Sequence, residues 1–327
     1  MRYRMLGRTG QLVSEIGMGT WSIGGGWGPN NDAEAIAALE TALEQGITFI
    51  DTALGYGSGH AEELVGRVLK GKRERAVVAT KIPPQTGRWP VMPGEPLESA
   101  FSAEWVIRCT EESLRNLQMD YIDVQQLHAW TPDYVQQTAW LEALYKLREQ
   151  GKVRFFGVSA NDWDPFGVVS LVESGLIDTI QVIYNIFEQR PQHSLLPAAL
   201  RHNVGIIVRV PFEEGLLTGT LKPGHQFAEG DWRSGWATPE RLTQALPRVE
   251  ALERIAAREG MSLSELALRW ILSHPAVSTV IPGMRTRRYV AVNAAASDGV
   301  LLSAATLEEL HAHAFTHGWK YPWAADL

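Results

Sequence analysis

A closed barrel of eight parallel β-strands, each followed by an α-helix, is the fold this sequence predicts, and three observations predict it. Short apolar runs of strand length alternate with helical periodicities eight times along the 327 residues. Several of those runs end on a polar side chain able to do chemistry, as strands do at the carboxyl face of such a barrel. A hairpin pattern precedes the first run and would plug the amino-terminal end. An open doubly wound sheet is the alternative. No Pro/Ser linker or shift in composition divides the chain, so residues 1–327 read as one domain.

The elements follow in order. The hairpin pairs Tyr3–Leu6 with Leu12–Ser14 across a Gly7-Arg8-Thr9-Gly10 turn. Strands are expected at Ile16–Gly19, Ile47–Ile50, Ala76–Thr80, Tyr121–Leu127, Val153–Val158, Thr179–Ile183, Gly205–Val210 and Thr279–Ile281. Their helices are expected at Asp32–Gln45, Ala61–Leu69, Ser102–Leu117, Tyr134–Glu149, Phe166–Ser174 and Ser194–His202. Two follow the seventh strand, Leu246–Arg258 and Ser262–Ser273, and 286–297 and Ala305–Phe315 complete the chain. Long segments at 82–100, 129–133, 211–240 and 316–327 would stand at the carboxyl end.

Composition narrows the function. A net charge of −7 argues against a nucleic-acid or anionic-membrane partner. The single cysteine, Cys109, excludes an internal disulfide and a cysteine-based metal cluster, which fits a reducing cytosol. There is no signal-peptide pattern and no apolar run long enough to span a bilayer. The expected class is therefore a cytoplasmic protein acting on a small molecule. Tryptophans cluster in Gly/Pro-rich segments (Trp21, Trp27, Trp89, Trp232, Trp236, Trp319, Trp323), so loops would wall an apolar pocket.

The strand ends carry the chemistry. The second strand ends at Asp51, with Tyr56 between two glycines just beyond, the third at Lys81 and the fourth at His128. The fifth ends at Ser159, the sixth offers Gln181 and the seventh reaches Arg209. Neighbouring strands lie about 4.8 Å apart, so Asp51, Lys81 and His128 should converge. A tyrosine is a poor acid at neutral pH, with a pKa of about 10. A lysine beside it stabilises the phenolate, and a carboxylate keeps that lysine charged. Tyr56, Lys81, Asp51 and His128 are thus equipped to protonate an oxygen on which negative charge develops. Reduction of a carbonyl by hydride needs such an acid. No metal or flavin motif is visible, so the hydride must come from a bound carrier.

Asp51…Tyr56, Lys81 and His128, with Gly157-Val158-Ser159, Gln181-Val182-Ile183-Tyr184-Asn185 and Ile281-Pro282-Gly283…Asn293, resemble the aldo-keto reductases. The resemblance runs from Gly17-Met18-Gly19-Thr20 to Asn293. It implies a (β/α)₈ TIM barrel and reversible, NADPH-dependent reduction of aldehydes or ketones. It places the catalytic tetrad on Asp51, Tyr56, Lys81 and His128, with Tyr56 as proton donor. It places nicotinamide-carboxamide contacts on Ser159 and Gln181 and the pyrophosphate loop on Pro211 to Gly219, through Pro211, Phe212, Gly215 and Leu217. Thr20, Trp21, Asp51, Gly283, Arg285, Tyr289 and Asn293 complete the implied NADP(H) contacts.

The chain departs from the family pattern in three places. Ala160 follows Ser159 where an Asn is usual, with Asn161 one place later. Arg209 takes the place of a tyrosine that stacks on the nicotinamide, and a guanidinium plane can stack there too. Tyr289 and Val292 replace the usual polar pair before Asn293, so the adenine contacts should differ. The run Gly283-Met284-Arg285-Thr286-Arg287-Arg288 is basic at the expected amino-terminus of a helix, where an anion is favoured. The 2′-phosphate of NADPH, held chiefly by Arg285, would satisfy it.

Substrate would meet Trp21, Trp27, Tyr56, His128 and Trp130, a pocket suited to an apolar group or a sugar. The Gly24-Gly25-Gly26-Trp27-Gly28 stretch reads as a mobile loop presenting Trp27. His311, His313 and His317 form no metal site, because residues two apart do not share a helical face. Glu213-Glu214 reads as a solvated pair. Gly55-Tyr56-Gly57-Ser58-Gly59 fails as a dinucleotide fingerprint, His60 standing where its third glycine belongs. Two other uses of the same residues stay open: a sugar dehydrogenase working oxidatively, and a cofactor-sensing regulatory subunit of the kind the potassium-channel β-subunits represent.

Overall fold

The computed structural model describes residues 1–319 and 321–322; the expected pocket tryptophan Trp323 lies outside them. A two-stranded antiparallel hairpin, β1 (Tyr3–Met5) and β2 (Leu12–Ser14), comes first. Eight strands then lie side by side, all parallel: β3 (Met18–Gly19), β4 (Phe49–Asp51), β5 (Val77–Ile82), β6 (Ile122–Leu127), β7 (Val153–Ser159), β8 (Thr179–Ile183), β9 (Gly205–Arg209) and β10 (Val277–Val280). Bridges from Ile16 to Val280 and from Gly19 to Gly283 join the first barrel strand to the last and close the ring. The fold is the (β/α)₈ barrel that the alternation predicts.

Two packed layers follow from the strand period of two. Leu6 and Val13 of the hairpin fill the barrel's floor together with inward-pointing Phe49, Ala79, Val124, Ile207 and Ile281. The plug therefore sits where the sequence puts it. Outside, helices cover the strands with a second, larger apolar layer. They are α1 (Trp21–Gly24), α2 (Asp32–Glu44), α3 (His60–Leu69), α4 (Leu97–Phe101), α5 (Ala103–Leu117), α6 (Ala139–Glu149) and α7 (Val169–Ser174). They continue with α8 (Leu195–His202), α9 (Arg233–Trp236), α10 (Pro239–Arg258), α11 (Leu263–Leu272), α12 (Arg287–Ala295) and α13 (Ala304–His311). Side-chain caps mark several starts: Asn31 on α2, Ser102 on α5, Thr238 on α10, Thr286 on α12 and Ser303 on α13. No helix among the described residues is long and apolar enough to cross a membrane.

Two expected helices come out differently. The stretch Tyr134–Glu149 is not one helix: a short 3₁₀ turn at Pro132–Gln136 precedes α6, and Gln137 between them is extended. Tyr134 causes the break, because its ring is buried against Trp130 and Phe101 and pins the turn to the core. Helix α10 starts at Pro239, seven residues before the expected Leu246 (246 − 239), with Thr238 capping it and Pro239 in its first turn. The interior Pro247 lacks an N–H and imitates a helix start within a continuous helix.

Candidate active site

The site stands one step above the apolar floor, on the same inward face. Asp51 follows Phe49 by two residues, Lys81 follows Ala79, and Gln126 follows Val124, so each polar side chain turns into the barrel mouth. Lys81 and Gln126 are direct register partners, as are Ser159 and Gln181. Residue 157 must be glycine for this layer to close: a Cβ there would come within 2.5 Å of Thr179 Oγ1 and 2.7 Å of Gln126 Cγ.

Lys81 is wholly buried and Asp51 nearly so. The Lys81 ammonium donates to Asp51 Oδ2 at 2.5 Å, to the Thr52 carbonyl at 2.8 Å and to the Tyr56 hydroxyl at 3.2 Å. The other Asp51 oxygen accepts from Gln181 Nε2 at 2.7 Å and from Gln126 Nε2 at 3.3 Å. A buried ion pair survives only when its remaining lone pairs and protons are satisfied, and here both partners are. Thr20 donates its N–H and hydroxyl to the Asp51 backbone carbonyl, each at 3.0 Å, fastening the first strand's end to the second's.

Tyr56 is placed from outside the barrel. Gly24 packs on its backbone so closely that a Cβ at 24 would lie 2.8 Å from Tyr56. The Tyr56 ring stacks on Trp21 at 6.3 Å and meets the His128 ring edge-on at 5.8 Å. The four tetrad residues are thus brought together. Their ionisation differs in one respect from the simplest expectation. Burial pushes the Tyr56 hydroxyl up from the ordinary tyrosine range; Lys81 opposes that push without overcoming it. The phenol is therefore held protonated, with the ammonium against its oxygen. Burial lowers the Lys81 affinity for its proton, but Asp51 and Tyr56 outweigh it and leave the ammonium raised above an ordinary lysine. His128 is driven well below the usual histidine range by burial, then by Lys81 and Arg209, so its imidazole is neutral.

Four aromatic side chains roof these groups. Trp21 stacks on Trp232 at 5.4 Å and meets Trp27 edge-on at 5.0 Å, and Trp89 meets His128 at 4.5 Å. Arg209 reaches across the mouth to the Ala160 carbonyl at 3.0 Å and to Asp162 at 2.5 Å.

Several expected residues stand elsewhere than the sequence suggests. Trp130 is core, enclosed by Tyr134 and Trp140, and so is withdrawn from the substrate wall. The Leu217 side chain is also fully buried in the apolar layer, leaving only its backbone to meet a ligand. The Gly24–Gly28 loop is fastened, not loose: Trp27 bridges Asp231, Gly26 accepts from the Trp232 N–H, and Arg285 donates to the Trp27 carbonyl at 2.7 Å. Arg285 is therefore partly engaged within the protein itself. Glu213 and Glu214 are both buried, not solvated. Pro211, Phe212 and Gly215 lie in the same segment around a 3₁₀ turn, Glu213–Thr218. On the last strand's far side, Gly283 is exposed, Tyr289 is about half exposed at 48 % and Asn293 is buried.

Sequence reasoning missed Gln126 and Asp162. The first was legible, since it precedes His128 by two positions and shares its face. The second was not, because its tie to Arg209 spans 47 residues. Among the described residues no group of three or more His, Cys, Asp or Glu side chains is arranged to hold a metal ion. His317 binds Glu213 instead, and His311 binds Gln189.

Comparison with known proteins bears on the family and the fold. A model of the aldo/keto reductase family matches residues 15–314. Aldo-keto reductase YhdN of Bacillus subtilis is 35% identical over 295 residues, covering 87% of this chain and 85% of that protein. An NADH-specific methylglyoxal reductase of Escherichia coli is 32% identical over 304 residues, covering 89% and 92%. The crystal structure of an aldo-keto reductase from Klebsiella pneumoniae in complex with NADPH superposes with a TM-score of 0.71 at 26% identity, covering 95% and 94%.

Proposed function

The chain belongs to the aldo/keto reductase family, and from that premise we propose that it is an NADP(H)-dependent reductase of aldehydes or ketones, a single barrel domain with Tyr56 as proton donor. One observation carries the proposal: a single buried ammonium, Lys81, touches both Asp51 and the Tyr56 hydroxyl.

The residues at the mouth fit a nicotinamide dinucleotide. Among the described residues the Ser159 hydroxyl, Asn161 Oδ1 and Arg209 Nε are buried without a partner, and unmet buried groups of this kind favour a polar ligand. Ser159 and Asn161 offer a donor and an acceptor to a carboxamide, and the Arg209 plane offers a face for a ring. Gln181, by contrast, commits its amide nitrogen to Asp51. When bound, NADPH supplies the hydride. Tyr56 gives its proton to the substrate oxygen as that oxygen gains negative charge, and Lys81 stabilises the phenolate left behind. Neutral His128 donates a hydrogen bond to the same oxygen. Asp51, with Gln126 and Gln181 behind it, keeps Lys81 charged throughout. The same groups run in reverse serve alcohol oxidation. Trp21, Trp27, Trp89 and Trp232 exclude water and offer flat apolar walls.

Preference for the phosphorylated carrier is supported by Arg287 and Arg288, which line a groove between the capped amino-terminus of α12 and the start of α2, with Arg285 just ahead of the Thr286 cap. Replacing Arg285 by Ala should raise KM for NADPH by roughly ten- to hundredfold, the worth of one charged hydrogen bond, and leave KM for NADH nearly unchanged. Equal effects on both carriers would remove the phosphate role. The activity itself is tested by mixing the protein with NADPH and a panel of aldehydes, ketones and aldoses. Many turnovers per protein molecule are expected. Oxidation of one equivalent at most would favour a cofactor sensor.

A further inference from the structure

Glu213 and Glu214 are consecutive carboxyl groups, both buried, in the segment that the cofactor reading assigns to the pyrophosphate. The chain takes trouble to put them there. Val210, Glu213 and Glu214 all adopt left-handed backbone, at φ 53°, 44° and 52°, which non-glycine residues disfavour and a β-branched valine most of all.

The two carboxyls are treated differently. Glu213 accepts from Asn185 Nδ2 at 2.7 Å and meets His317 Nε2 at 2.9 Å, so it has a partner able to carry positive charge. The Glu214 carboxyl accepts from the Tyr321 hydroxyl at 2.9 Å, a neutral donor. Among the described residues no cation pairs with Glu214. Arg233 comes nearest, but its guanidinium is spent on Asp231 and on the Glu214 backbone carbonyl. The charged and titratable groups facing Glu214 are Glu213 on its own segment, Asp162 from the loop after β7, Arg233 of α9 and Tyr321 of the tail. Negative groups predominate. Burial, then Glu213, raises its pKa to about 8, so the group is a neutral acid at pH 7.

A dinucleotide brings two more negative charges to this segment through its pyrophosphate. A neutral Glu214 tolerates them; an ionised one repels them at low local dielectric. We propose that Glu214 is a proton-linked gate for the cofactor: the pyrophosphate is accepted beside it only while its carboxyl carries a proton, so that cofactor binding in alkali takes up one proton from solvent and release returns it. The inference rests on the cofactor reading above. Its reach extends to the tail, because the Glu214 carboxyl accepts from the Tyr321 hydroxyl.

The experiment is the dissociation constant of NADPH, followed by quenching of tryptophan fluorescence from pH 7 to 9. Tyr56 and Lys81 are raised from values already above this window and His128 is lowered from below it, so these three groups do not titrate within it. The constant should rise roughly tenfold across the window, and Glu214→Gln, a neutral isostere, should make it flat. Should that variant fail to fold, calorimetry on the wild-type protein at pH 8.5, in two buffers of different ionisation enthalpy, should report uptake of about three-quarters of a proton per NADPH. Tight binding with a flat profile and no uptake would overturn the gate and leave the cofactor reading standing, as would a folded Glu214→Gln protein that keeps the slope. Failure of both NADPH and NADH to bind at pH 7 would overturn the cofactor reading and the gate together.

Discussion

Asp51 and Glu214 are both buried carboxyl groups at the carboxyl end of one barrel, and their surroundings treat them in opposite ways. Asp51 sits on the inner wall, where three strands deliver Lys81, Gln126 and Gln181 to its two oxygens. Glu214 sits on the rim, where a tail phenol is its bonded partner and burial, then the charge of the adjacent Glu213, raises its pKa. The first environment holds a charge in place. The second expels one. What separates the two is the company each keeps: a cation and two amides around Asp51, a neighbouring acid and one phenol beside Glu214.

Breaking the inner site should have the largest effect. Lys81→Met leaves Asp51 charged, buried and without its cation, and should cost about 3–5 kcal/mol of stability together with nearly all turnover, read by urea unfolding and by NADPH oxidation. An unfolding midpoint equal to the wild type would mean that Asp51 relaxes or protonates at no cost. A smaller loss should follow Gln181→Leu, which removes one charge-assisted bond of 2.7 Å; about 1.5–3 kcal/mol is expected. If Gln181→Leu proves neutral, Gln126 suffices alone and the network is redundant.

The outer site should respond with the opposite sign. The folded pKa of Glu214, about 8, lies above its ordinary value of 4.5. The folded state therefore binds the proton more tightly than the unfolded one, and Glu214 withdraws stability as pH rises from about 4.5 to about 8. Glu214→Gln should remove that loss, so the variant should be the more stable protein at pH 9 and nearly equal to wild type at pH 5, read as the difference between the two melting curves. A variant less stable at pH 9 would show that Glu214 is ionised and paired in the folded protein.

The inner region was legible in the sequence and the outer was not, for the same reason. Asp51, Lys81 and His128 announce themselves because strand period and strand end are local properties, and parallel register brings successive ends together. Gln126 could have been read by the same rule. The burial of Glu213 and Glu214 depends on His317 and Tyr321, more than a hundred residues away. Two adjacent glutamates with no such partner in view look solvated. Trp130 misleads in a related way: an aromatic residue just past a strand end looks like a pocket wall until Tyr134 and Trp140 are seen to enclose it. Arg285 stands at the expected helix start, yet its bond to the Trp27 carbonyl crosses 258 residues and leaves no local trace.

In the proposed reaction the Tyr56 hydroxyl, beside the Lys81 ammonium, supplies the proton to the carbonyl oxygen. Tyr56→Phe removes that hydroxyl and little else. In a single-turnover experiment with bound NADPH and an aldehyde that the wild type reduces, the rate should fall by about 10²–10⁴-fold while the dissociation constant for NADPH stays within twofold of wild type. A variant that reduces the aldehyde at the wild-type rate would contradict the account and place the acid elsewhere.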